Sequence, residues 1–405
     1  MARDLCRTIP KMRIKWWFDK PHMEIAIERL GWEKVPEDEN ADFYWHDKTY
    51  YADLFEHEPK LVGVNKIPGI LELCTKARLS EILTTKKAIN PNIFQFHPKT
   101  WILPQQYKQF TEETKQENKV LSDGELATYY IYKPSVGTHG NGIFLANGSV
   151  DIQTEDNNYI VQKYLDPPLL IEGYKFDLRF YVVIARVDPP EIYLCNEGLV
   201  RLCTTKYESP CDKNCDDIFM HLTNYKINVH NKSFQQTPSP STGSKRTWKS
   251  VKETLRERGC DVETATRRIK ELCVNTSLVL LDEVKQTQEI NPYRTRWFHI
   301  LGFDVILDSD MQPYLLEINS APRLGVVHHN VPDLMGKRYI LNVVDQQIKI
   351  PLIVDVLKLV TMGEKNVDMT SSCLERIFPI NNEEDGANGS CELGHGILEQ
   401  RLNVQ

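Results

Sequence analysis

The chain has 405 residues, 41% of them hydrophobic, and a formal net charge of −7. That is enough apolar material for a substantial core spread over two or three lobes. The negative balance excludes a general nucleic-acid binder that grips phosphates with a basic surface, so an acidic partner must be met by a local basic cluster.

The start, MARDLCRTIPKMRIKWW, is basic with no apolar stretch behind it, and no later run is long enough to span a bilayer. A cytoplasmic chain with no membrane contact is expected. Ten cysteines without zinc-like Cys-x-x-Cys pairs suit reduced thiols, and Cys211 and Cys215 are read as loop residues. Residues 12–53 mix strand-like pieces (IKWWF, ADFYWHD) with a helical piece, HMEIAIERLGW, which predicts a small α/β lobe. Ile70, Leu73, Cys74 and Ala77 follow Pro68-Gly69 at helical spacing and predict one helix carrying Lys76. Residues 89–110 are rich in proline and aromatics, and 111–123 read as a charged loop. Strands dominate from Thr128 to Tyr193. Residues 211–250 are loop-rich, helical patterns occupy about 246–288, and a hairpin follows. After Met362 the composition turns polar (NNEEDGANGS), so a mobile tail is expected. The resulting division is 1–75, 76–163, 164–362 and a tail, 363–405.

Within the hairpin, WFHILGFDVILDSDMQPYLLEINSAPRL, two apolar β-branched and aromatic runs flank a turn-like DSDMQP. Side chains alternate along a strand, so Glu317 and Asn319 face the same way and Asp304 can lie opposite them. Three oxygen donors on one face suit Mg²⁺; carboxylates solvated at a strand end are the plainer alternative. Upstream, YYIYKPSVGTHGNGIFL is a strand ending at Lys133 and a loop with Gly137, Gly140 and Gly142. Glycines let backbone amides approach a phosphate and the lysine supplies a point charge, yet neither the Walker A nor the dinucleotide fingerprint is matched. In the next strand, YIVQKYL, Gln162 and Lys163 interrupt an apolar run, as an edge strand offering polar groups to an adenine ring would. Alternation in KFDLRF puts Lys175, Asp177 and Arg179 on one face. Arg201 and the run His221-Leu222-Thr223-Asn224 add further polar groups. Each alone reads as a solvated ion pair or loop hydrogen bond; together they fit a Mg-nucleotide and a carboxylate substrate.

The ordered series KPSVGTHGNGI, VQKYL, KFDLRFYV, EGLVR, HLTN, GFDVILD and LLEINSAP resembles the tubulin tyrosine ligase-like family, and HEPKLVGVNKIPGILELCTKARL looks like its N-terminal and linker region. The resemblance covers about Lys15 to Val360. It implies an α/β (α+β) ATP-grasp fold with a small N-terminal α/β lobe, a central lobe and a C-terminal lobe. It also implies an ATP- and Mg-dependent carbon–nitrogen ligase acting on tubulin tails and microtubules through an acylphosphate, with a cytoskeletal setting at the cilium or basal body. Lys76 and Lys133 would contact ATP phosphates, Gln162, Lys163 and Leu165 would line the adenine pocket, and Asp304, Glu317 and Asn319 would hold Mg²⁺. Lys175, Asp177, Arg179, Arg201 and residues 221–224 would surround the γ-phosphate and the acceptor, with Arg179 and Arg201 as the charge-stabilising pair. Ser320-Ala321 before Pro322 departs from the Asn-x-Ser-Pro that many glutamate-adding relatives resemble and looks more like the tyrosine ligase.

Glutamate is nevertheless the expected amino acid: the resemblance implies it, since most branches of that family use glutamate, and the extra cation that a second carboxylate needs has a candidate in Arg323, with Lys175 a further one. Glycine and tyrosine remain alternatives, as do a catalytically silent tubulin-binding module and a ligase of free peptides or small molecules. Lys245, Lys249, Lys252 and Arg256 fall at intervals of four, three and four, so a helix there would set a cationic stripe for an acidic tail beside an apolar one of Trp248, Val251 and Leu255. A solvated surface helix is the plainer reading of that charge run.

Overall fold

The computed structural model describes residues 10–380 apart from 17–19, 37, 47–60, 121–126, 138–139, 151–157, 238, 288–296 and 328–341. Among these residues no helix is long and apolar enough to cross a membrane, and the eight described cysteines are free thiols.

Three sheets make up the α/β architecture. The first is parallel, ordered β2-β1-β3-β4, from β1 (Arg13–Trp16), β2 (Glu33–Lys34), β3 (Phe43–Trp45) and β4 (Gly63–Val64), with α1 (Pro21–Leu30) between β1 and β2. The expected small α/β unit is therefore present. The single helix expected over Lys76 is two: α2 (Ile70–Leu73) ends at Cys74, and α3 (Lys76–Ile89) restarts with Lys76 as its first residue.

The second sheet is antiparallel, ordered β5-β8-β6-β7, from β5 (Thr100–Leu103), β6 (Tyr129–Pro134), β7 (Phe144–Asn147) and β8 (Tyr159–Lys163). Two expectations change here. Residues 107–120 form a helix, α4 (Tyr107–Val120), where a charged loop was read. Its polar residues hid one buried row, Phe110 and Thr114 four apart, and Phe110 packs on Trp101 and Tyr130 with ring centroids 4.9 and 5.1 Å away; one apolar stripe suffices to hold a helix on a sheet. And β8, expected at an edge, is interior, paired on both sides.

The third sheet has eight strands around the 14-residue β10 (Tyr174–Val187). On one side β10 pairs first with β12 (Leu199–Leu202) and then with β11 (Pro190–Cys195); on the other it pairs with β14 (His299–Leu307), which carries β15 (Pro313–Asn319). Short strands β9 (Leu170–Ile171) and β13 (Lys245–Thr247) pair with β10 and β12. The helices before the hairpin are α5 (Ile218–His221), α6 (Tyr225–Asn228), α7 (Trp248–Glu257) and α8 (Val262–Thr287). After it come α9 (Val343–Met362) and β16 (Leu374–Phe378), which pairs with β11. The chain is thus ordered past Met362, where a mobile tail was expected; its apolar Leu374, Ile377 and Phe378 are buried, and residues 381–405 lie outside the described residues.

One face of the large sheet, carrying Phe176, Leu178, Phe180 and Phe303, packs under α3 and α8. The other face carries Tyr181 and Val183 into a second core with α9 and the N-terminal sheet. Lys175, Asp177 and Arg179 continue that second face beyond the end of α9, and the second sheet stands over them. The cleft lies in the gap.

Candidate active site

The expected hairpin is formed, with Asp304 directly opposite Glu317 and Gly302 opposite Asn319. The register slips between Asp304 and Val305, leaving Leu316 as the extra residue of a bulge. A bulge re-aims side chains: Tyr314, Leu316 and Glu317 all line the cleft while Leu315 and Ile318 enter the core. Strict alternation could not have given that.

Two guanidiniums and two carboxylates interlock at the cleft floor. Asp304 is gripped by Arg179 through Nε and through Nη2 at 2.7 Å, and it meets Arg201 Nη2 at 2.9 Å. Arg201 in turn donates to both oxygens of Asp177, from Nε at 2.8 Å. Burial works to raise the Asp304 carboxyl, but Arg179 and Arg201 outweigh it and hold it well below the usual carboxylate range. Isolated buried ions of this kind would be costly; paired and hydrogen-bonded, they form a rigid floor.

Glu317 differs. Among the described residues its one hydrogen bond is a long 3.4 Å donation from Asn319 Nδ2, and burial together with Asp304 raises its pKa above the ordinary 4.5. Among the described residues no cluster of three or more His, Cys, Asp or Glu is gathered for a metal; the candidate set is two carboxylates and an amide. A carboxylate offers about four lone-pair positions. Among the described residues Asp304 uses three, keeping one, and Glu317 and Asn319 keep oxygens with no cation hydrogen-bonded to them. This hard-oxygen set, with an unneutralised carboxylate at its centre, fits Mg²⁺ that retains waters or phosphate oxygens.

The lysines converge from separate elements. Lys133, at the end of β6, donates to Gln162 Oε1 at 2.9 Å, and Gln162 donates on to Thr100 at 3.0 Å. Lys175 donates to the Tyr164 hydroxyl and to the His221 carbonyl, both at 2.8 Å. Burial pushes both ammonium groups down to about 8. Lys76 donates to the Gly137 carbonyl at 3.0 Å, which ties the start of α3 to the glycine loop. Gly140 and Gly142 have φ of +85° and +73°, and a Cβ on Gly140 would come 2.5 Å from Ile227 Cδ1. Only glycine fits there without displacement.

The inner end of the cleft has apolar walls, Ile131, Ile143, Ile306 and Leu316, rimmed by Gln162, Lys163, Leu165 and Thr223. Such a slot suits a flat heteroaromatic ring. Lys163 points to the surface, 3.8 Å from Glu117. His221 is buried: its Nε2 donates to the Asn214 carbonyl at 3.0 Å, so its Nδ1 accepts from Tyr164 at 2.9 Å, and burial beside Lys175 lowers it to about 4. Asn224 sits between the two ends and Arg201 and Glu317 border both.

The outer end, about 560 Å³, runs from Lys76 and the glycine loop to Arg323. Lys245 lies there, but on β13 and paired with Asp345. It therefore does not share a helix with the rest of the expected cationic stripe. Lys249, Lys252 and Arg256 are on α7, outside the cleft, while Trp248, Val251 and Leu255 are buried beneath as expected. Sequence reasoning missed Asp345 and Lys349, one turn apart at the start of α9 and 2.8 Å from each other. Burial opposes it, but Lys349 and Lys245 hold Asp345 at about 2. The signal existed: an Asp and a Lys four apart inside VVDQQIKIPLIVDVL, behind the capping Asn342. Tyr181, also lining this end, left no signal, since it continues an apolar alternation.

Residues 55–356 match the tubulin-tyrosine ligase family. A human protein named tubulin polyglutamylase TTLL11 is 33% identical over 378 residues, 91% of this chain and 52% of its own. The human protein named tubulin polyglutamylase TTLL7 is 35% identical over 310 residues, 75% of this chain and 34% of its own. A Tetrahymena thermophila protein named probable beta-tubulin polyglutamylase is 35% identical over 303 residues, 72% of this chain and 24% of its own. The chain spans about half the length of the TTLL11 relative and less of the others. A match over most of the chain, on the fold and cleft described above, settles the family: the chain belongs to the tubulin-tyrosine ligase family.

Proposed function

We propose that this chain is an ATP- and Mg²⁺-dependent ligase that adds glutamate to carboxylates of tubulin tails. The observation that carries it is the pairing of Asp304 with Glu317 across the hairpin, with Arg179 and Arg201 beside them, at the junction of an apolar slot and a cation-lined outer cleft. Phosphoryl transfer is catalysed by positioning and by neutralising developing charge, and this floor needs no side-chain nucleophile.

On this reading the base of ATP occupies the slot between Ile131 and Leu316, and Lys76, Lys133 and Lys175 meet its phosphates. Asp304, Glu317 and Asn319 would hold Mg²⁺, which when bound supplies charge neutralisation at the phosphate oxygens. A tail carboxylate attacks the γ-phosphorus and ADP leaves; the amine of the incoming amino acid then attacks the acyl carbon, and inorganic phosphate leaves as the amide forms. Asp177 and Asp304 fix the arginines so that these stabilise charge without reorganising. Arg323, at the outer end, would take the second carboxylate of glutamate, and the α7 cations would meet the acidic tail on microtubules in a cytoskeletal setting. The division into lobes 1–75, 76–163 and 164–362 is part of this reading, with β16 added to the third sheet. The relatives' names support glutamate over glycine or tyrosine, and the pairing of Asp304 with Glu317 beside Arg179 and Arg201 favours an enzyme over a silent binding module.

ADP release measured with and without tubulin separates the readings. Tubulin-dependent release with incorporation of labelled glutamate is expected. No ADP release would establish a silent module, release without tubulin a ligase of small molecules, and incorporation of glycine or tyrosine alone another amino acid.

A further inference from the structure

The end of β15 is held from behind by residues that line neither part of the cleft. Among the described residues β15 pairs within its sheet with β14 alone, and after Asn319 the chain leaves it. The carbonyl of Ser320, a buried residue, accepts from His299 Nε2 at 2.6 Å and from Lys66 Nζ at 3.1 Å. A backbone carbonyl can only accept, and His299 Nδ1 accepts from the Ile67 amide at 3.1 Å; the tautomer is thereby fixed with the proton on Nε2. Burial, with Lys66 nearby, lowers this imidazole to about 3, so it stays neutral and the arrangement does not titrate near pH 7.

The clamp joins distant segments. Lys66 and Ile67 follow β4 of the N-terminal sheet, which reaches the hairpin through the Phe298 amide bonded to the Val64 carbonyl at 3.0 Å. On the cleft side the turn after Asn319 is seated hard: a Cβ on Gly302, the partner of Asn319, would lie 2.9 Å from Pro322 Cβ and 3.1 Å from Arg179 Cδ. The turn is thus trapped between the floor arginine and the His299–Lys66 pair.

We propose that His299 and Lys66 are positioning residues, fixing the Ser320 carbonyl and through it the direction in which Asn319 presents its oxygen, so that the N-terminal sheet is a working part of the metal site. This rests on the metal reading of Glu317 and Asn319. Binding partners of this outer kind affect metal affinity because a ligand held in one orientation loses no freedom on binding.

The test is Mn²⁺ affinity of the full chain, read from the electron paramagnetic resonance of free Mn²⁺ with a non-hydrolysable ATP analogue present, alongside thermal midpoints. His299→Leu should weaken Mn²⁺ about tenfold, and Lys66→Met, which leaves one donor, by a smaller but measurable factor. His299→Gln, whose amide can both donate to Ser320 and accept from Ile67, should restore affinity to within about twofold of the parent. If His299→Leu does not fold, Lys66→Met decides. Unchanged Mn²⁺ affinity in Lys66→Met and in any folded His299→Leu, with only their midpoints lowered, overturns the inference, provided Glu317→Gln weakens Mn²⁺. Unchanged affinity in Glu317→Gln overturns the metal reading itself, and this inference with it.

Discussion

Glu317→Gln should make the ligand-free protein more stable and the enzyme inactive. Among the described residues Glu317 has a single hydrogen bond, of 3.4 Å, and burial with Asp304 raises its pKa above 4.5. A group whose folded pKa is raised contributes stability below its unfolded pKa and loses it as pH rises through the folded value. The neutral isostere should therefore be the more stable of the two at pH 7.5, with the advantage vanishing toward pH 4. Saturating Mg-nucleotide reverses the order: at a hundred times its Kd a ligand stabilises the parent by about 2.7 kcal/mol, and the variant, lacking the ligand charge, should gain far less. Loss in kcat/KM should reach about 100-fold or more. Urea denaturation at pH 4 and 7.5, with and without Mg-nucleotide, reads all of this. A parent more stable than the variant at pH 7.5 without ligand, or retained ligation at ordinary Mg²⁺, would refute the reasoning.

Gly140→Ala forces a side chain into φ +85° and against Ile227; it should destabilise the loop by about 1–2 kcal/mol and raise the KM for ATP with little change in the KM for glutamate. Because Lys133 and Lys175 are pushed down to about 8 by burial, affinity for an ATP analogue should fall as pH rises from 7 to 9; a flat profile would exclude them from the phosphates. Reversing Lys249 and Lys252 together should raise the apparent KM for tubulin and flatten its salt dependence, since exposed charge contacts are screened; an unchanged KM would mean a solvated helix face. Arg323→Ala should raise the KM for glutamate far more than that for ATP, and equal effects on both would move the amino-acid pocket elsewhere.

What was legible in the sequence was whatever strand periodicity encodes. KFDLRF places Lys175, Asp177 and Arg179 on one face because β10 is regular there, and Asp304 meets Glu317 because a hairpin's two halves are local in sequence. What failed depended on neighbours that sequence does not name. The α4 segment looked like a charged loop because its inward row is short, and β8 was placed at an edge because Gln162 and Lys163 are polar, whereas Gln162 is buried between Lys133 and Thr100. Lys245 was assigned to a helix by spacing alone, yet its partner Asp345 lies 100 residues further on. The bulge at Leu316 likewise needs the β14 register before it can be seen.

The charges of the cleft floor explain why these groups tolerate burial together. Cations outnumber carboxylates along the cleft, ten lysines and arginines against Asp177, Asp304, Glu317 and Asp345. Burial pushes Lys133 and Lys175 down to about 8, and burial together with Asp304 raises Glu317. On the proposed reading a triphosphate with one Mg²⁺ carries about two negative charges in net, its anionic oxygens toward the lysines and its cation toward Glu317. It would lower the positive excess and give the lysines and the glutamate partners at once. A floor built only for stability would pair its buried lysines with Glu317, whereas Lys133 donates to Gln162 and Lys175 to Tyr164 and the His221 carbonyl, an arrangement suited to a ligand that brings anionic oxygens to the lysines and a cation to the glutamate.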